Sequence, residues 1–227
     1  MARRTKDEAE ATRERILEAA ERVFLQRGVA RTTLENIACT AGVTRGAIYW
    51  HFHNKLEVFE AVLDRVQQPM FASLIGLPDE QEASPLEALH RLCACAFRLL
   101  TTDARYQRVY TIFYHRCEFA PELADSLRQR AEAVEQILRA LERYFARPHN
   151  RARLRPGLTP ALAARMVHVY VSGLRYDWLR APASFDLPAH WEALLDAFFA
   201  GLVTPAVAQP VPDAAAPAEP ERRAARR

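Results

Sequence analysis

The chain has 227 residues, of which 50% are hydrophobic and 26% charged, a composition typical of a globular protein of one or two domains. Its formal net charge of +3 excludes nucleic-acid binding by bulk charge, so any such binding requires a local, shaped surface. The first residues lack the apolar segment of a signal peptide, and no uncharged apolar stretch approaches the roughly 18 residues of a membrane span. We therefore expect a cytoplasmic protein with no membrane partner, whose four cysteines are reduced.

The N-terminal segment divides into a polar arm and an amphipathic helix. Residues 1–11 carry no apolar stripe, and we expect them to form a flexible arm. From Thr12 apolar residues recur at helical spacing as far as Gly28, which predicts a first helix between them. Thr32 and Glu35 then match a capping box, with Thr32 as the N-cap of a short second helix.

Two short helices around a tight turn follow. Gly42 ends the second helix, Thr44 can cap a third that runs to about Trp50, and Asn54 opens a fourth. This spacing is typical of a helix-turn-helix, in which the first helix braces the second in the major groove of DNA. We assign residues 12–55 to this unit.

The rest of the chain is predicted to be helical as well. It shows no β-alternation of useful length and no internal repeat, so the predicted fold class is all-α. Helices are expected near residues 85–101, 104–116, 121–147, 160–180 and 188–203. Residues 56–204 would form a larger helical domain, while residues 205–227, rich in Ala, Pro, Glu and Arg, would form a disordered tail.

The third helix carries side chains suited to DNA. Arg45 is long enough to reach a guanine or a phosphate, and Gly46 allows the helix to approach the bases closely. Tyr49 and His51 offer polar tips for phosphate oxygens. Lys55 adds a positive charge at the start of the fourth helix, where unpaired N–H groups already favour an anion. The pattern predicts a DNA-reading helix with a phosphate clamp beside it.

The segment from Thr12 to Lys55 resembles the TetR family of bacterial repressors. The likeness rests on Ile16-Leu17-x-Ala19-Ala20, Phe24-x-x-x-Gly28, Thr32-Thr33-x-x-x-Ile37-Ala38, Ala41-Gly42-Val43, Gly46-x-x-Tyr49-x-His51-Phe52 and Asn54-Lys55. It implies a two-domain, all-helical homodimer that binds a palindromic operator in double-stranded DNA. The implied DNA contacts are Thr33, Thr44, Arg45, Gly46, Tyr49, Trp50, His51 and Lys55. For Trp50 a second interpretation, packing in the core, stays open.

A narrower resemblance links the second domain to the branch of this family that represses multidrug efflux-pump operons. It rests on Arg3 to Lys6, Tyr114-His115-Arg116-Cys117-Glu118-Phe119, Val169-Tyr170-Val171-x-Gly173-Leu174 and Trp178-Leu179. It implies a broad pocket for apolar or aromatic effectors that release the DNA. The residues expected to line it are Leu89, Leu92, Cys93, Ala96, Tyr110, Phe113, Tyr114, Val134, Ile137, Leu141, His168, Val171, Ser172, Arg175 and Tyr176.

Polar groups in this wall leave the ligand class open. Tyr110, His168 and Arg175 make the wall more polar and cationic than a purely apolar pocket. Apolar walls with a few convergent polar groups are typical of ligand sites, although ordinary core packing also produces such stripes. Arg175 has a second interpretation, a pair with Asp177 or a helix end.

The resemblance also implies a dimer interface on the last two helices, as a four-helix bundle across a two-fold axis. The residues expected there are Val169, Leu174, Trp178, Trp191, Leu194, Leu195, Phe198, Phe199 and Leu202. A dimer matches a palindromic operator because identical helices then read the two half-sites.

Other functional classes find less support in the sequence. No nucleophile motif, metal-protease motif or phosphate-cradling loop is present, so we do not expect an enzyme. Cys93-x-Cys95 and His51-x-His53 place their side chains on different sides of a helix, and neither has a further ligand pair nearby. We expect no cofactor and no metal. A redox or metal sensor, and a regulator of lipid metabolism with an acyl ligand, stay as alternatives.

Overall fold

A computed structural model describes residues 2–77, 85–117 and 124–204, with the backbone alone at residues 2–5, 85 and 124–130. Its helices are α1 (Ala2–Arg27), α2 (Leu34–Ala41), α3 (Arg45–His51), α4 (Lys55–Ile75), α5 (Pro85–Thr102), α6 (Ala104–His115), α7 (Ala124–Ala146), α8 (Pro148–Arg153), α9 (Pro160–Arg180) and α10 (Leu187–Leu202). The β-pairing in this part of the chain is limited to an isolated bridge between Leu154 and Val203, so the all-α prediction is confirmed. The predicted tail over 205–227 and the predicted helix start at 121 lie outside the described residues.

Helix α1 is longer than the sequence analysis indicated. It begins at Ala2, so residues 2–11 continue the helix, and the flexible arm expected there is not observed. The segment is rich in Ala, Arg, Lys and Glu, which have high helix propensity, and it contains no Gly or Pro that would end a helix.

The first three helices pack around one apolar core. Leu17 and Phe24 of α1, Ile37 of α2 and Ile48 of α3 are fully buried in the same cluster. The rings of Phe24 and Phe59 meet edge-to-face with centroids 5.9 Å apart, an arrangement that aromatic pairs favour. Because Phe59 belongs to α4, this long helix is anchored in the N-terminal domain before it continues into the second one.

The cap of α2 differs from the predicted one. Thr33, in extended backbone, is the N-cap, and its capping-box partner is Asn36. The side chain of Thr33 accepts from the N–H of Asn36 at 3.2 Å, and the Asn36 side chain accepts in return from the N–H of Thr33 at 3.2 Å. The hydroxyl of Thr32 donates to the carbonyl of Gly28 at 2.7 Å. The prediction of Thr32 and Glu35 as the capping pair is therefore wrong by one residue, because Thr32 closes the end of α1 instead.

Helices α5 to α10 form the second domain. α7 packs along α9, α5 packs on α10, and α6 lies against α9 as well as α1 and α4. Pro148, which the sequence suggested only as a break, stands in the first turn of α8, where a missing N–H costs nothing. None of the helices in the described part is long and apolar enough to cross a membrane.

A buried carboxylate joins the two domains. The side chain of Glu21 in α1 is 2% exposed, and it pairs with Arg65 of α4 at 2.9 Å and with Arg105 and Arg108 of α6 at 3.4 and 3.2 Å. Arg65 also pairs with Glu14 of α1 at 2.6 Å. We call these five residues the junction cluster. Removal of one partner from a buried ion pair is costly, so the junction cluster fixes α1 relative to α4 and α6.

Candidate nucleic-acid interface and ligand cavity

The turn between α2 and α3 depends on a glycine. Gly42 adopts the left-handed conformation, with φ of +64°, and its N–H donates to carbonyls in the last turn of α2. A residue with a Cβ would be strained there. The hydroxyl of Thr44 then accepts from the N–H of Ala47 at 3.1 Å and begins α3. Ile48 is the buried residue of α3, so it anchors one face of the helix while the other faces outward.

The outward face of α3 presents most of the predicted reading residues. Thr44, Arg45, Gly46, Tyr49 and Trp50 are all exposed. A Cβ placed on Gly46 would meet only the Thr44 hydroxyl, at 3.9 Å, so packing within the protein does not require a glycine there. The surface above Gly46 is therefore free for the close approach of another molecule.

Trp50 and His51 form an aromatic pair on this face. Trp50 is 72% exposed and contacts the ring of His51 at 4.5 Å between centroids, so the interpretation of Trp50 as core is wrong. Burial, followed by the charge of Arg13, lowers the pKa of His51. Its imidazole is consequently neutral at pH 7 and can donate one N–H.

A carboxylate that the sequence analysis assigned to a cap holds the reading residues instead. Glu35 of α2 pairs with Arg45 at 3.4 Å, and the Tyr49 hydroxyl donates to the same carboxylate at 3.5 Å. The Arg45 guanidinium lies 5.5 Å from the centroid of the Tyr49 ring. A hydrogen bond from the backbone of Glu35 itself, helped by Arg45, keeps the pKa of Glu35 below its usual value. Glu35 thus orients both side chains before DNA is bound.

Lys55 and Thr33 already have partners within the protein. The ammonium of Lys55 donates to the carbonyl of Ala30 at 2.8 Å, which ties the start of α4 to the loop before α2. Thr33 uses its hydroxyl as the cap described above. An ammonium has three N–H donors, so Lys55 retains two for a phosphate.

A cavity of about 360 Å³ lies among α4, α5, α6, α7 and α9. Of the fifteen residues predicted to line a pocket, the structure brings together fourteen in its wall. Tyr176 is the exception, because it is 45% exposed and its ring lies against those of Tyr114 and His115. A cavity of this volume suits a small organic ligand.

Helix α4 supplies a wall that the sequence analysis missed. The further lining residues are Asp64, Gln67, Gln68, Met70, Phe71 and Leu74 of α4, with Tyr106, Ala133, Gln136 and Val167 from the other helices. One signal was available: the apolar side chains of α4 continue through Met70 and Phe71, beyond the length that a small reading domain needs.

Tyr110 stands at the centre of an aromatic cluster in the cavity wall. Its ring centroid lies 4.7 Å from that of Tyr106, 5.9 Å from that of Tyr114 and 6.3 Å from that of Phe113. Burial raises the pKa of Tyr106 and of Tyr114, so both phenols keep their protons. The cluster therefore offers apolar ring faces edged by neutral hydroxyls.

Arg175 is the cation of the cavity wall. Its guanidinium lies 4.1 Å from the centroid of Tyr110 and 5.9 Å from that of Tyr106. Asp177 pairs with Arg180 at 3.1 Å, so the alternative pairing of Arg175 with Asp177 is wrong. Burial works to lower the pKa of Arg175, but the neighbouring tyrosine oxygens outweigh it and raise this pKa. Arg175 is cationic at every physiological pH.

The other titratable groups of the wall are neutral. Burial, then the charges of Arg165 and Arg175, lowers the pKa of His168. Burial raises the pKa of Cys93 to about 12, which leaves it as an unreactive thiol and gives no support to a redox sensor at this position. Nowhere in the described ranges do three or more His, Cys, Asp or Glu side chains come together as a metal site.

Four residues expected in a dimer interface belong to the core of the single chain. They are Trp178, Leu195, Phe199 and Leu202, each 8% exposed or less. They turn inward because α10 packs on α5 and so buries its most apolar face. The large apolar side chains of α9 that stay exposed are Leu162, Met166, Val169 and Tyr176.

Sequence comparison accounts for both domains. Residues 16–62 match the family of bacterial regulatory proteins, tetR family, and residues 84–203 match the C-terminal region of MAATS-type transcriptional repressors. The HTH-type transcriptional regulator TtgR of Pseudomonas putida is 42% identical over 196 residues, which cover 86% of this chain and 93% of TtgR.

Solved structures agree with these matches. NalD, the secondary repressor of the MexAB-OprM multidrug efflux pump in Pseudomonas aeruginosa, is 40% identical with a TM-score of 0.78, over 88% of this chain and 99% of NalD. A complex of SmeT, the repressor of the Stenotrophomonas maltophilia multidrug efflux pump SmeDEF, with triclosan is 35% identical with a TM-score of 0.78, over 93% of this chain and 100% of SmeT. Because the matches extend over both the reading helices and the cavity, the chain belongs to the TetR family of transcriptional regulators.

Proposed function

We propose that the protein is a repressor of a multidrug efflux-pump operon that binds a palindromic operator as a dimer and leaves it when an aromatic molecule occupies the cavity. The observation that carries this proposal is the presence, in one chain, of an outward-facing reading helix and an aromatic-walled cavity of about 360 Å³. NalD and SmeT, which are repressors of efflux pumps, support the regulated target, and the SmeT complex with triclosan supports an aromatic effector.

Contacts with the operator would come from α3 and its two flanks. Arg45 would leave Glu35 and pair with a guanine edge or a phosphate, with Tyr49 beside it. The open surface over Gly46 would admit a base edge, and the exposed indole of Trp50 would lie against the sugar-phosphate backbone. Positions at the margins would reach phosphates through Thr33, Thr44, His51 and Lys55.

The dimer would form through the exposed apolar side of α9. Leu162, Met166 and Val169 fall at positions four and three residues apart, so they share one helix face, and each is at least 36% exposed. Partly buried Trp191, Leu194 and Phe198 of α10 would border this face. An apolar stripe of this kind is typical of a helix that packs against a second copy.

Substitution of Val169 tests this interface directly. Val169→Glu should convert the dimer to monomer in sedimentation velocity, because it places two charges against each other in an apolar interface. Ile75→Glu, at an equally exposed apolar residue of α4, should leave the dimer intact. A dimer that survives Val169→Glu would show that another surface carries the interface.

Helix α6 provides a route from the cavity to the reading helix. It places Tyr106 and Tyr110 in the cavity wall and Arg105 and Arg108 in the junction cluster. A ligand that displaces the tyrosines would therefore shift the arginines that hold Glu21, and α1 would move with it. A coupling free energy of about 1–3 kcal/mol would weaken operator binding by roughly 5- to 150-fold.

The experiment that tests the function is operator binding followed by fluorescence anisotropy at a stated salt concentration. DNA from upstream of the gene is titrated with the protein, and apolar antibiotics, dyes and acyl compounds are then added. Tight binding that aromatic compounds reverse is expected. Release by acyl compounds alone would favour a regulator of lipid metabolism, and weak, salt-sensitive binding without sequence preference would overturn the repressor proposal.

A further inference from the structure

The cavity holds one cation without an acidic partner. Of the residues that line it, only Asp64 and Arg175 carry a full charge at neutral pH, since His168 is neutral. Asp64 is exposed on α4, and no ion pair joins it or any other described carboxylate to Arg175. The three groups nearest to the guanidinium in charge interactions are the phenols of Tyr106, Tyr110 and Tyr114.

A cation in such surroundings lacks most of its compensation. The ring of Tyr110 supplies a cation–π contact at 4.1 Å, and its hydroxyl accepts a hydrogen bond from Arg175. A guanidinium has five N–H donors in a planar fork, and it is best satisfied by a carboxylate that accepts two of them together. Arg175 therefore stands in the wall as an unfilled receptor for an anionic oxygen.

We propose that the cavity selects aromatic acids, whose anionic oxygen pairs with Arg175 while the ring lies among Tyr110, Phe113 and Tyr114. This inference rests on the proposed function, because it names the chemical class of the effector at the same cavity. Aromatic cations are rejected, since a positive charge would face Arg175 in a poorly solvated wall. Neutral aromatic molecules bind more weakly, because they leave the guanidinium without a charged acceptor.

The first test compares two probes that differ in charge but hardly in shape, 2-naphthoate and 2-naphthamide. Isothermal titration calorimetry of the wild-type dimer at pH 7.5 should show naphthoate binding about tenfold more tightly or better, as expected when a charge-assisted pair replaces a neutral hydrogen bond. Equal binding, tighter binding of the amide, or no binding of naphthoate would overturn the proposal.

Variants then assign the preference to Arg175. Arg175→Met should abolish the difference between the two probes, and Arg175→Lys should retain part of it because the charge stays without the planar fork. Arg180→Met, at an exposed arginine one turn further along α9, is the matched control and should keep the full preference. A preference that persists in folded Arg175→Met protein would show that another group recognises the acid.

The same probes separate this inference from the proposed function. Naphthoate, but not naphthamide, should release the operator in the anisotropy assay. Release by both to the same extent would overturn the anion selectivity while the repressor function stands. Tight, Arg175-dependent binding of naphthoate by a protein that binds no operator would leave the inference intact and overturn the function.

Discussion

The reading surface and the cavity are built on opposite plans. The proposed DNA contacts all lie within residues 33–55, and they are oriented by neighbours on the same two short helices, such as Glu35 for Arg45. The cavity draws its wall from five helices between Asp64 and Arg175, and its electrostatics depend on residues far apart in the chain. A local surface tolerates changes elsewhere, whereas a cavity records the packing of the whole domain.

The sharpest break of this contrast is a substitution on the reading surface. Arg45→Ala should weaken operator binding by about 30-fold or more, because loss of a base or phosphate contact costs about 1–3 kcal/mol in each of two half-sites. Naphthoate binding, measured by calorimetry, should not change. Arg180→Ala serves as the control and should bind the operator normally. Full operator affinity in Arg45→Ala would place the reading face elsewhere.

A substitution between the two regions should disturb both. Glu21→Gln should lower the free energy of unfolding by about 3 kcal/mol, because it leaves the arginines of the junction cluster without their buried carboxylate. Urea denaturation measures this loss. Glu18→Gln, at a carboxylate 49% exposed that pairs with Arg105 at 3.2 Å, should cost less than about 1 kcal/mol. Similar losses in the two variants would deny the cluster its role.

Filling of the cavity should affect the ligand and spare the DNA. Ala96→Trp places an indole in the wall, where Ala96 is 5% exposed, and should reduce naphthoate affinity at least tenfold, or about 1.4 kcal/mol. Operator binding without ligand should stay within about twofold of wild type. Ala131→Trp, on the exposed side of α7, is the control. Unchanged naphthoate affinity in Ala96→Trp would remove the ligand from this cavity.

The smallest effect concerns Lys55, which connects the two interpretations of its role. Lys55→Met should reduce the dependence of operator affinity on salt by about 0.9 in log–log slope for each phosphate lost, or about twice that for the dimer. It should also lower stability by about 1 kcal/mol, through loss of the hydrogen bond to Ala30. An unchanged slope with lowered stability would reduce Lys55 to a structural role.

Local signals in the sequence were sufficient for most of the fold. Caps, glycines and apolar spacing predicted the helices, and α9 has the limits expected from the sequence, Pro160–Arg180. The errors are of two kinds. Thr32 and Thr33 are adjacent possible caps, and only the closure of α1 decides between them. Helix α1 extends to Ala2 because propensity continues it where no apolar stripe is present.

The cavity was harder to predict because tertiary packing defines it. Its α4 wall was missed, since a helix that begins in one domain gives no sign of the surface it presents to the other. Tyr176 was placed in the wall by its neighbour Arg175, although consecutive residues of a helix point in different directions. The charge state of Arg175 could not be anticipated either, because it depends on Asp177 pairing with Arg180.

The junction cluster sets a rule for engineering biosensors by domain exchange. A chimera joined after α3 would combine Glu14 and Glu21 from one parent with Arg65, Arg105 and Arg108 from the other. A donor that lacks acids at these two positions would leave three cationic side chains facing an apolar α1, and the hybrid would fail at assembly before its response could be measured. Transplanted reading modules should therefore carry these two glutamates with them, whatever operator they recognise.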